Sequence, residues 1–259
     1  MNKLTIMKQD SENKSLQLNS DLSAATMQKS PYSLVLRFAS DGIALSIYQD
    51  SSLISSKKIK MPLYALTKEQ IFPLLLQEPE TQLLYDKIQL IAETKTYSIV
   101  PKVIFKEEEM DKLLYFSHQK EKNVSLLYNE IPAFDVINIF SLPEDILEVF
   151  RQLFPAYKIE HSISHFMENH ISKHSLQECI FIWARQKIMD VVALQHNRLL
   201  LVNSFDFQTH EDFVYYLLRI IEELNFDLQN CKVYLYNMEQ HAKLHGFVRK
   251  FVKQCETID

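Results

Sequence analysis

Alternating apolar and polar side chains predict three consecutive strands near the start of the chain. Residues 32–39 and 43–49 alternate in this way, as strands with one buried face do. Asp41-Gly42 lies between them, and this dipeptide between alternating runs is a strong hairpin signal. A second turn at 49–52 is followed by a third strand candidate at 53–59. The pattern therefore predicts an antiparallel meander.

The next part of the chain predicts short helices and further strands. Residues 67–70 (TKEQ) and 141–144 (SLPE) have the form of capping boxes, in which two side chains satisfy free amides at a helix start. The acidic triplet at 107–109 suits the positive end of a third helix. The other predicted elements are strands over 87–93, 97–100, 124–128, 134–140 and 157–160, and a helix over 161–174.

The pattern then starts again. Apolar runs at 179–184, 187–194 and 198–203 are followed by a helix start at Thr209, a strand at 233–236 and a final helix around Leu244 and Val248. A shift of 146 residues (195 − 49) places the turn at Gln49 on the turn at Gln195. Three strands, a helix and a strand thus occur twice, which indicates an internal duplication.

The duplication indicates an α/β protein in which each copy of the repeat forms one unit, here called a lobe. We expect a flexible N-terminal segment over residues 1–30, which is rich in Ser, Asn, Lys and Gln and has no periodicity. The first lobe then covers 31–176 and contains inserted strands and helices, and the second covers 177–259.

The composition changes this picture mainly through its shortage of glycine. A chain of 259 residues carries roughly 18 glycines at the usual abundance, but this one has only Gly42 and Gly246. Phosphate-binding loops, nucleophile elbows and dinucleotide fingerprints all need several glycines, because the backbone must bend or approach a ligand without a Cβ in the way. None of these motifs is present.

Charge and cysteine content exclude further classes. The 28 basic and 33 acidic residues give a net charge of −5, and no stripe of Lys and Arg favours nucleic acid. No stretch approaches the roughly 18 apolar residues of a membrane span, and no signal peptide is evident, so we expect a cytoplasmic protein without a membrane span. Cys179, Cys231 and Cys255 are widely spaced, which suggests neither disulfides nor a zinc site.

Three segments carry a resemblance to a known fold. They are Leu34-Val35-Leu36-Arg37-Phe38 with Ser40-Asp41-Gly42, then Tyr97-Ser98-Ile99-Val100-Pro101, and Phe154-Pro155 followed by His161-Ser162. With the duplicated βββαβα unit, they resemble the ribonuclease H-like and actin-like ATPase architecture, two lobes with a cleft between them. More closely, the chain from about Tyr32 onward is similar to a family of uncharacterised Bacteroidetes proteins with that fold.

The resemblance implies a cleft whose phosphate grip is degenerate. Actin-like ATPases hold a nucleotide between the lobes with two acidic, glycine-containing turns and a glycine pair near the adenosine. The corresponding turns here are 40–42, which keeps Asp41 and Gly42, then 184–187, where Arg185 stands without an acid or glycine, and 236–239, where Asn237 stands without glycine. These four residues are the cleft candidates. The resemblance thus implies no catalytic residue and no cofactor, with ATP and Mg²⁺ as the alternative.

Two of these candidates, Asp41 and Arg185, also have a simpler interpretation. Asp41 suits turn chemistry alone, and Arg185 is either an anion ligand in place of the lost acidic turn or a solvated turn residue. Trp183 is expected to pack in the core. Three histidine pairs have i,i+4 spacing, but the first two point to opposite sides of a straight helix and no third ligand is near, so we expect no metal site: His161/His165, His170/His174 and His241/His245.

Three functional hypotheses remain at this point. The leading one is a non-catalytic scaffold or partner-binding module with an unidentified protein partner. The second is a nucleotide-dependent ATPase or phosphotransferase with an atypical phosphate site. The third is a small-molecule or anion sensor that uses Arg185 and the cleft.

Overall fold

Two five-stranded sheets and one three-stranded sheet form the framework of the protein. The computed structural model describes residues 30–171, 178–185, 187–238 and 242–258, so the predicted flexible segment lies outside the described residues except for Ser30. The first sheet has the order β3-β2-β1-β4-β8. Its strands are β1 (Tyr32–Ala39), β2 (Gly42–Gln49), β3 (Ser52–Lys60), β4 (Lys87–Ala92) and β8 (Lys158–His161).

The second sheet repeats this arrangement. Its order is β11-β10-β9-β12-β13, with the meander antiparallel and the last two strands parallel to the first strand of the meander, as in the first sheet. The strands are β9 (Glu178–Ala184), β10 (Ile188–Gln195), β11 (Arg198–Asp206), β12 (Lys232–Tyr236) and β13 (Cys255–Ile258). The two predicted meanders are confirmed. The strand β13 was not predicted, because four residues are too few for a periodic signal.

Local details support the duplication. The shift of 146 residues (188 − 42) that places β2 on β10 also places β3 on β11, residue for residue. The bulge between Ile47 and Tyr48 falls on the bulge between Ala193 and Leu194. The β2–β3 turn lies at Asp50-Ser51 and its counterpart at His196-Asn197, and all four residues have positive φ. This is the geometry of a two-residue turn that matches the strand twist.

A third sheet is inserted between β4 and β8. It has the order β5-β7-β6 and consists of β5 (Tyr97–Pro101), β6 (Val124–Ile131) and β7 (Val136–Pro143), all antiparallel. The helices are α1 (Lys68–Leu76), α2 (Met110–Leu114), α3 (Glu144–Leu153), α4 (Ser162–Phe166), α5 (His210–Glu223) and α6 (Ala242–Val248). No helix of the described segments has both the length and the hydrophobicity to cross a bilayer.

One of the predicted capping boxes is wrong. The backbone N–H of Thr67 donates to Gln70 Oε1 at 3.0 Å, as predicted for α1. The strand β7, however, continues to Pro143, and the hydroxyl of Ser141 donates to Glu121 rather than capping α3. The hydrogen bonding of the inserted sheet therefore takes precedence over the local signal.

The predicted helix over 161–174 is also too long at its start. His161 is the last residue of β8, and its Nδ1 accepts the N–H of Ile163 at 3.2 Å, so the side chain caps α4. After α4, a π-helical turn at Met167–Ile171 replaces regular α-helix. Residues 172–174 lie outside the described residues.

The hydrophobic core runs continuously from one lobe into the other. Its largest cluster joins Phe38 and Phe150 of the first lobe, whose ring centroids are 5.0 Å apart, to Phe181 and Tyr236 of the second. A separate cluster fills the space between the second sheet and the helices α5 and α6. The lobes are thus packed on a shared apolar interface, and the space left between their strand ends is the cleft described below.

The two glycines have opposite roles. Gly42 has φ +143°, and a Cβ there would lie 2.1 Å from the carbonyl oxygen of Ile59, whereas a Cβ on Gly246 meets nothing within 4 Å. We expect Gly42→Ala to lower the free energy of unfolding by at least about 2 kcal/mol. The matched control Gly246→Ala, at an exposed position of α6, should raise it by about 0.5–1 kcal/mol. Urea unfolding of both variants measures this, and equal effects would contradict the assigned role of Gly42.

Burial of His161 should make the stability of the fold depend on pH in the acidic range. Burial lowers the pKa of His161 to about 3, aided by the positive charge of Arg185 and opposed by the hydrogen bond to Thr94. The unfolded histidine titrates near pH 6.5, so the unfolded chain binds a proton that the folded chain does not. Stability should therefore fall as the pH falls below about 6.5, by up to about 1.4 kcal/mol per pH unit.

The variant His161→Gln removes this titration. Its unfolding free energy, measured in urea from pH 7 to pH 5, should be lower overall but much less dependent on pH. Glu160 acts in the same direction only at lower pH: burial would raise its pKa from 4.5, but hydrogen bonds from His165, Lys158 and Gln89 lower it to about 2. An unchanged pH slope in His161→Gln would show that other groups cause the acid sensitivity.

Candidate functional site

A cleft of about 760 Å³ opens between the ends of β1, β9 and β12. The first lobe contributes the β1–β2 turn and the segment after β4, the second contributes the ends of β9 and β12, and the inserted sheet closes one side. Its lining includes Arg37, Asp41, Glu93, Trp183, Arg185 and Asn237. The cleft therefore lies where both copies of the duplicated unit meet.

Three of the four sequence candidates line this cleft. They are Asp41, Arg185 and Asn237. Asp41 Oδ2 accepts from Lys58 Nζ at 3.0 Å, and both side chains are about half exposed. Gly42 is the first residue of β2, where its missing Cβ admits the carbonyl of Ile59. The geometry of Gly42 is accounted for by strand packing.

Arg185 connects the two lobes at the floor of the cleft. Its Nη1 donates to Glu93 Oε2 at 3.2 Å, and its Nη2 donates to Asp190 Oδ1 at 2.7 Å. The exposed fractions of the three side chains are 11%, 16% and 3% for Arg185, Glu93 and Asp190. The interpretation of Arg185 as a solvated turn residue is therefore wrong, because both carboxylates and most of the guanidinium are removed from water.

The ion cluster keeps Arg185 charged in a dry environment. Burial by itself lowers the pKa of Arg185, but Asp190 and Glu93 raise it above its ordinary value. Burial raises the pKa of Asp190, and Arg185 opposes this, together with Ser204, whose hydroxyl donates to Asp190 at 2.5 Å. The positive charge of the buried guanidinium is thus compensated by the two carboxylates that contact it.

Glu93 extends the cluster into the first lobe. Its Oε1 accepts from Arg37 Nη1 at 3.2 Å, and its backbone carbonyl accepts from the hydroxyl of Tyr64 at 3.1 Å. The guanidinium of Arg37 lies 5.4 Å from the ring centroid of Trp183, a cation–π contact. Trp183 packs against the core, as predicted, but it is only half-buried and also forms part of the cleft wall.

Asn237 closes the remaining side at the end of β12. Its φ is +58°, a left-handed conformation that asparagine tolerates better than most residues. Its Nδ2 donates to the carbonyl of Ala184 at 2.7 Å, which joins the ends of β12 and β9. An amide side chain thus fills the place where the resemblance expects a glycine pair.

Glu93 and Asp190 are functional residues that sequence reasoning missed. One signal was available for Asp190, since it is a charged residue in the otherwise apolar strand β10 (IMDVVALQ), and buried charges are almost always paired. No comparable signal in the sequence identified the other members of the ion cluster. Arg185 is near in sequence, but Glu93 is 92 residues away from it.

The histidines and cysteines do not form a metal centre in the part of the chain that the structure describes, where no group of three or more His, Cys, Asp or Glu is placed to hold a metal ion. His161 is buried against Thr94, and His165 contacts Glu160 at 3.2 Å. His174 and His241 lie outside the described residues. The three cysteines are free and buried, and burial raises the pKa of each thiol.

The two five-stranded sheets have the same strand order and flank an interlobe cleft. This arrangement defines the fold class as actin-like. A protein from Bacteroides thetaiotaomicron, solved as having an actin-like ATPase fold and unknown function, superposes with a TM-score of 0.77 at 22% identity, over 88% of this chain and 91% of that one. The PilM-PilN type IV pilus biogenesis complex gives a TM-score of 0.54 at 11% identity, over 90% and 89%.

The chain belongs to the family described as "Protein of unknown function (DUF3822)", whose sequence profile matches residues 21–255. The sequence matches none of the curated proteins. The predicted actin-like fold and the predicted relation to Bacteroidetes proteins are both confirmed by these comparisons.

Loss of the Arg185 guanidinium should destabilise the protein strongly. Arg185→Met leaves Glu93 and Asp190 without their shared cation, so we expect a loss of about 3–5 kcal/mol at pH 7 in urea unfolding. The control Arg219→Met removes an exposed guanidinium from Glu222 and Glu223 on α5 and should cost less than about 1 kcal/mol. Similar losses in both variants would refute the central role of Arg185.

Proposed function

We propose that this protein is a non-catalytic actin-like protein that acts as a partner-binding module. The observation that carries the proposal is the buried Arg185, held by Glu93 and Asp190 at the cleft position where the resemblance expects an acidic phosphate-binding turn. A cation fixed there by two carboxylates serves to hold the lobes together. It does not provide the free carboxylates that a hydrated magnesium ion requires.

The backbone around the cleft supports the same proposal. Neither glycine lines the cleft, so every residue at its wall carries a side chain between the main chain and a ligand. The carboxylate of Asp41, the remaining acid of the first turn, is paired with Lys58. Phosphate binding by main-chain amides needs close approach, which a Cβ hinders. The proposal therefore includes no cofactor.

A partner-binding role has a precedent in the same fold. PilM was solved in a complex with PilN, and at 11% identity this similarity concerns the fold alone. It supports the idea that two lobes of this kind can serve protein recognition.

A second candidate is an anion or nucleotide ligand in the cleft. Six cationic side chains line it, compared with three carboxylates: Arg37, Lys58, Lys95, Lys122, Arg185 and Lys187 against Asp41, Glu93 and Glu121. An acidic protein with a net charge of −5 thus has a locally positive cleft, which favours an anion. Because Arg185 is already paired, such a ligand would rely on lysines such as Lys122 and Lys187.

A ligand scan distinguishes the two candidates. A nucleotide present at 100 times its dissociation constant would stabilise the fold by about 2.7 kcal/mol. We expect no saturable thermal shift with Mg-ATP, Mg-GTP, phosphate or pyrophosphate, and no change in the fluorescence of Trp183, which lines the cleft. Hydrolysis of ATP should not exceed the rate without protein.

Controls locate any effect that does occur. A saturable shift with Mg-ATP that Asp41→Ala abolishes would overturn the proposal in favour of a nucleotide-dependent enzyme. A shift with pyrophosphate that survives Asp41→Ala but is lost in Lys187→Ala would overturn it in favour of an anion sensor.

A further inference from the structure

A second groove, of about 1170 Å³, separates the inserted sheet from the second lobe. Its two long walls are β5 and β11, each of which is the terminal strand of its sheet. Residues 197–204 line one side, and residues 97–101 line the other except for Val100. We name it the β5–β11 groove. Two sheet edges thus face one shared space.

The register shows which backbone groups of β11 face this groove. The N–H of Phe207 donates to the carbonyl of Lys187 at 2.9 Å, so this pair is a hydrogen-bonded pair of the antiparallel ladder. Hydrogen-bonded and non-bonded pairs alternate. Val202 and Ser204, opposite Val192 and Asp190, are therefore non-bonded positions whose N–H and C=O groups point away from β10. The N–H of Ser204 donates to Asn203 Oδ1 at 2.8 Å, so of these two it is the N–H of Val202 that can pair with an added strand.

The same reasoning applies to β5. The N–H of Ser141 donates to the carbonyl of Thr96 at 3.2 Å, so Thr96 faces β7 and the neighbouring Tyr97 faces outward. His118 Nε2 lies 2.8 Å from the carbonyl of Tyr97, as expected for an outward-facing group. By alternation, the N–H and C=O of Ile99 also point away from β7.

A comparison of the duplicated edges shows that β11 is unprotected. The equivalent edge strand of the first sheet, β3, carries Lys57, Lys58 and Lys60, and edge lysines discourage unwanted strand pairing. The shift of 146 residues (198 − 52) converts these positions to Asn203, Ser204 and Asp206 in β11. The strand β11 instead presents the apolar run LLLV at 199–202.

The groove is closed at one end, and elsewhere its lining includes one exposed arginine, Arg198, and one carboxylate, Asp135. The hydroxyls of Tyr97 and Ser204 are 3.0 Å apart, and Lys95 is paired with Asp206, so these contacts join the two edges at one end. Arg198, at the start of β11, lines the groove and is exposed. An occupant would thus meet an apolar middle and an exposed cation that a carboxylate complements.

We propose that the β5–β11 groove binds an extended segment of a partner protein, which adds as a strand to the free edge of β11. The segment has about five or six residues, matching the length of β5 at about 3.3 Å per residue. It carries apolar side chains at alternate positions and a carboxylate opposite Arg198. This inference rests on the proposed partner-binding function and specifies its surface.

The test starts from a displayed library of random seven-residue peptides selected on the full chain. We expect selected peptides to contain alternating apolar residues and a carboxylate. Affinities of the synthetic peptides are then measured by fluorescence anisotropy for the full chain and its variants. Val202→Pro removes an outward-facing N–H without removing a bond to β10, which an edge strand tolerates, and should weaken binding at least about tenfold.

Two variants complete the design. Val202→Ala keeps the N–H and should stay within about threefold of the unchanged protein. Arg198→Glu alters an exposed residue, so it tests the groove even if Val202→Pro fails to fold, and it should weaken binding about fivefold or more. Thermal melting of each variant verifies the fold.

Several outcomes would overturn the inference. One is that no peptide is selected, and another is that the selected peptides bind Val202→Pro and Arg198→Glu as tightly as the unchanged chain. A dimer in sedimentation velocity that Val202→Pro dissolves would assign the groove to a second copy instead. A saturable nucleotide shift would contradict the proposed function while leaving the peptide result intact, so the two failures are distinguishable.

Discussion

The interlobe geometry depends on one interaction, the ion cluster that the buried guanidinium of Arg185 forms with two carboxylates. The guanidinium lies between Glu93 of the first lobe and Asp190 of the second, and all three side chains are largely shielded from water. Burying these charges is tolerable only because each compensates another. The cluster therefore orients the ends of β4, β9 and β10 relative to each other, and it occupies the floor of a cleft that the actin-like fold otherwise leaves for a ligand.

In this structure the shortage of glycine does not prevent tight turns, because other residues adopt the left-handed conformation. Eight described residues other than glycine have positive φ, and six of them are Asn or Asp, including Asp50, Asn197 and Asn237. These short polar side chains tolerate the left-handed region. The chain can therefore make its tight turns without glycine, but each turn retains a Cβ and a polar group. At Asn237, that group bonds to the neighbouring strand and so takes up space at the cleft wall.

Divergence between the two copies of the duplicated unit is as informative as their similarity. Bulge, turn and strand lengths are shared after a shift of 146 residues (188 − 42). The edge strands differ, since β3 carries three lysines and β11 carries none. The turns differ too, because Asp41 pairs with an exposed lysine while Arg185 is buried. Identical backbone frameworks thus present a protected edge in one lobe and an open one in the other.

Sequence alone determined the repeated meander, the helix starts at Thr67 and Thr209, and the positions of the turns, because these follow from local periodicity and turn chemistry. Through its resemblance to actin-like ATPases it also pointed to Asp41, Gly42, Arg185 and Asn237, of which all but Gly42 line the cleft. Only the tertiary structure decided that Arg185 is paired with Glu93, that β7 overrides the capping signal at Ser141, and that β5 and β11 face one groove. Each of these depends on contacts between distant segments, whose partners no local pattern encodes.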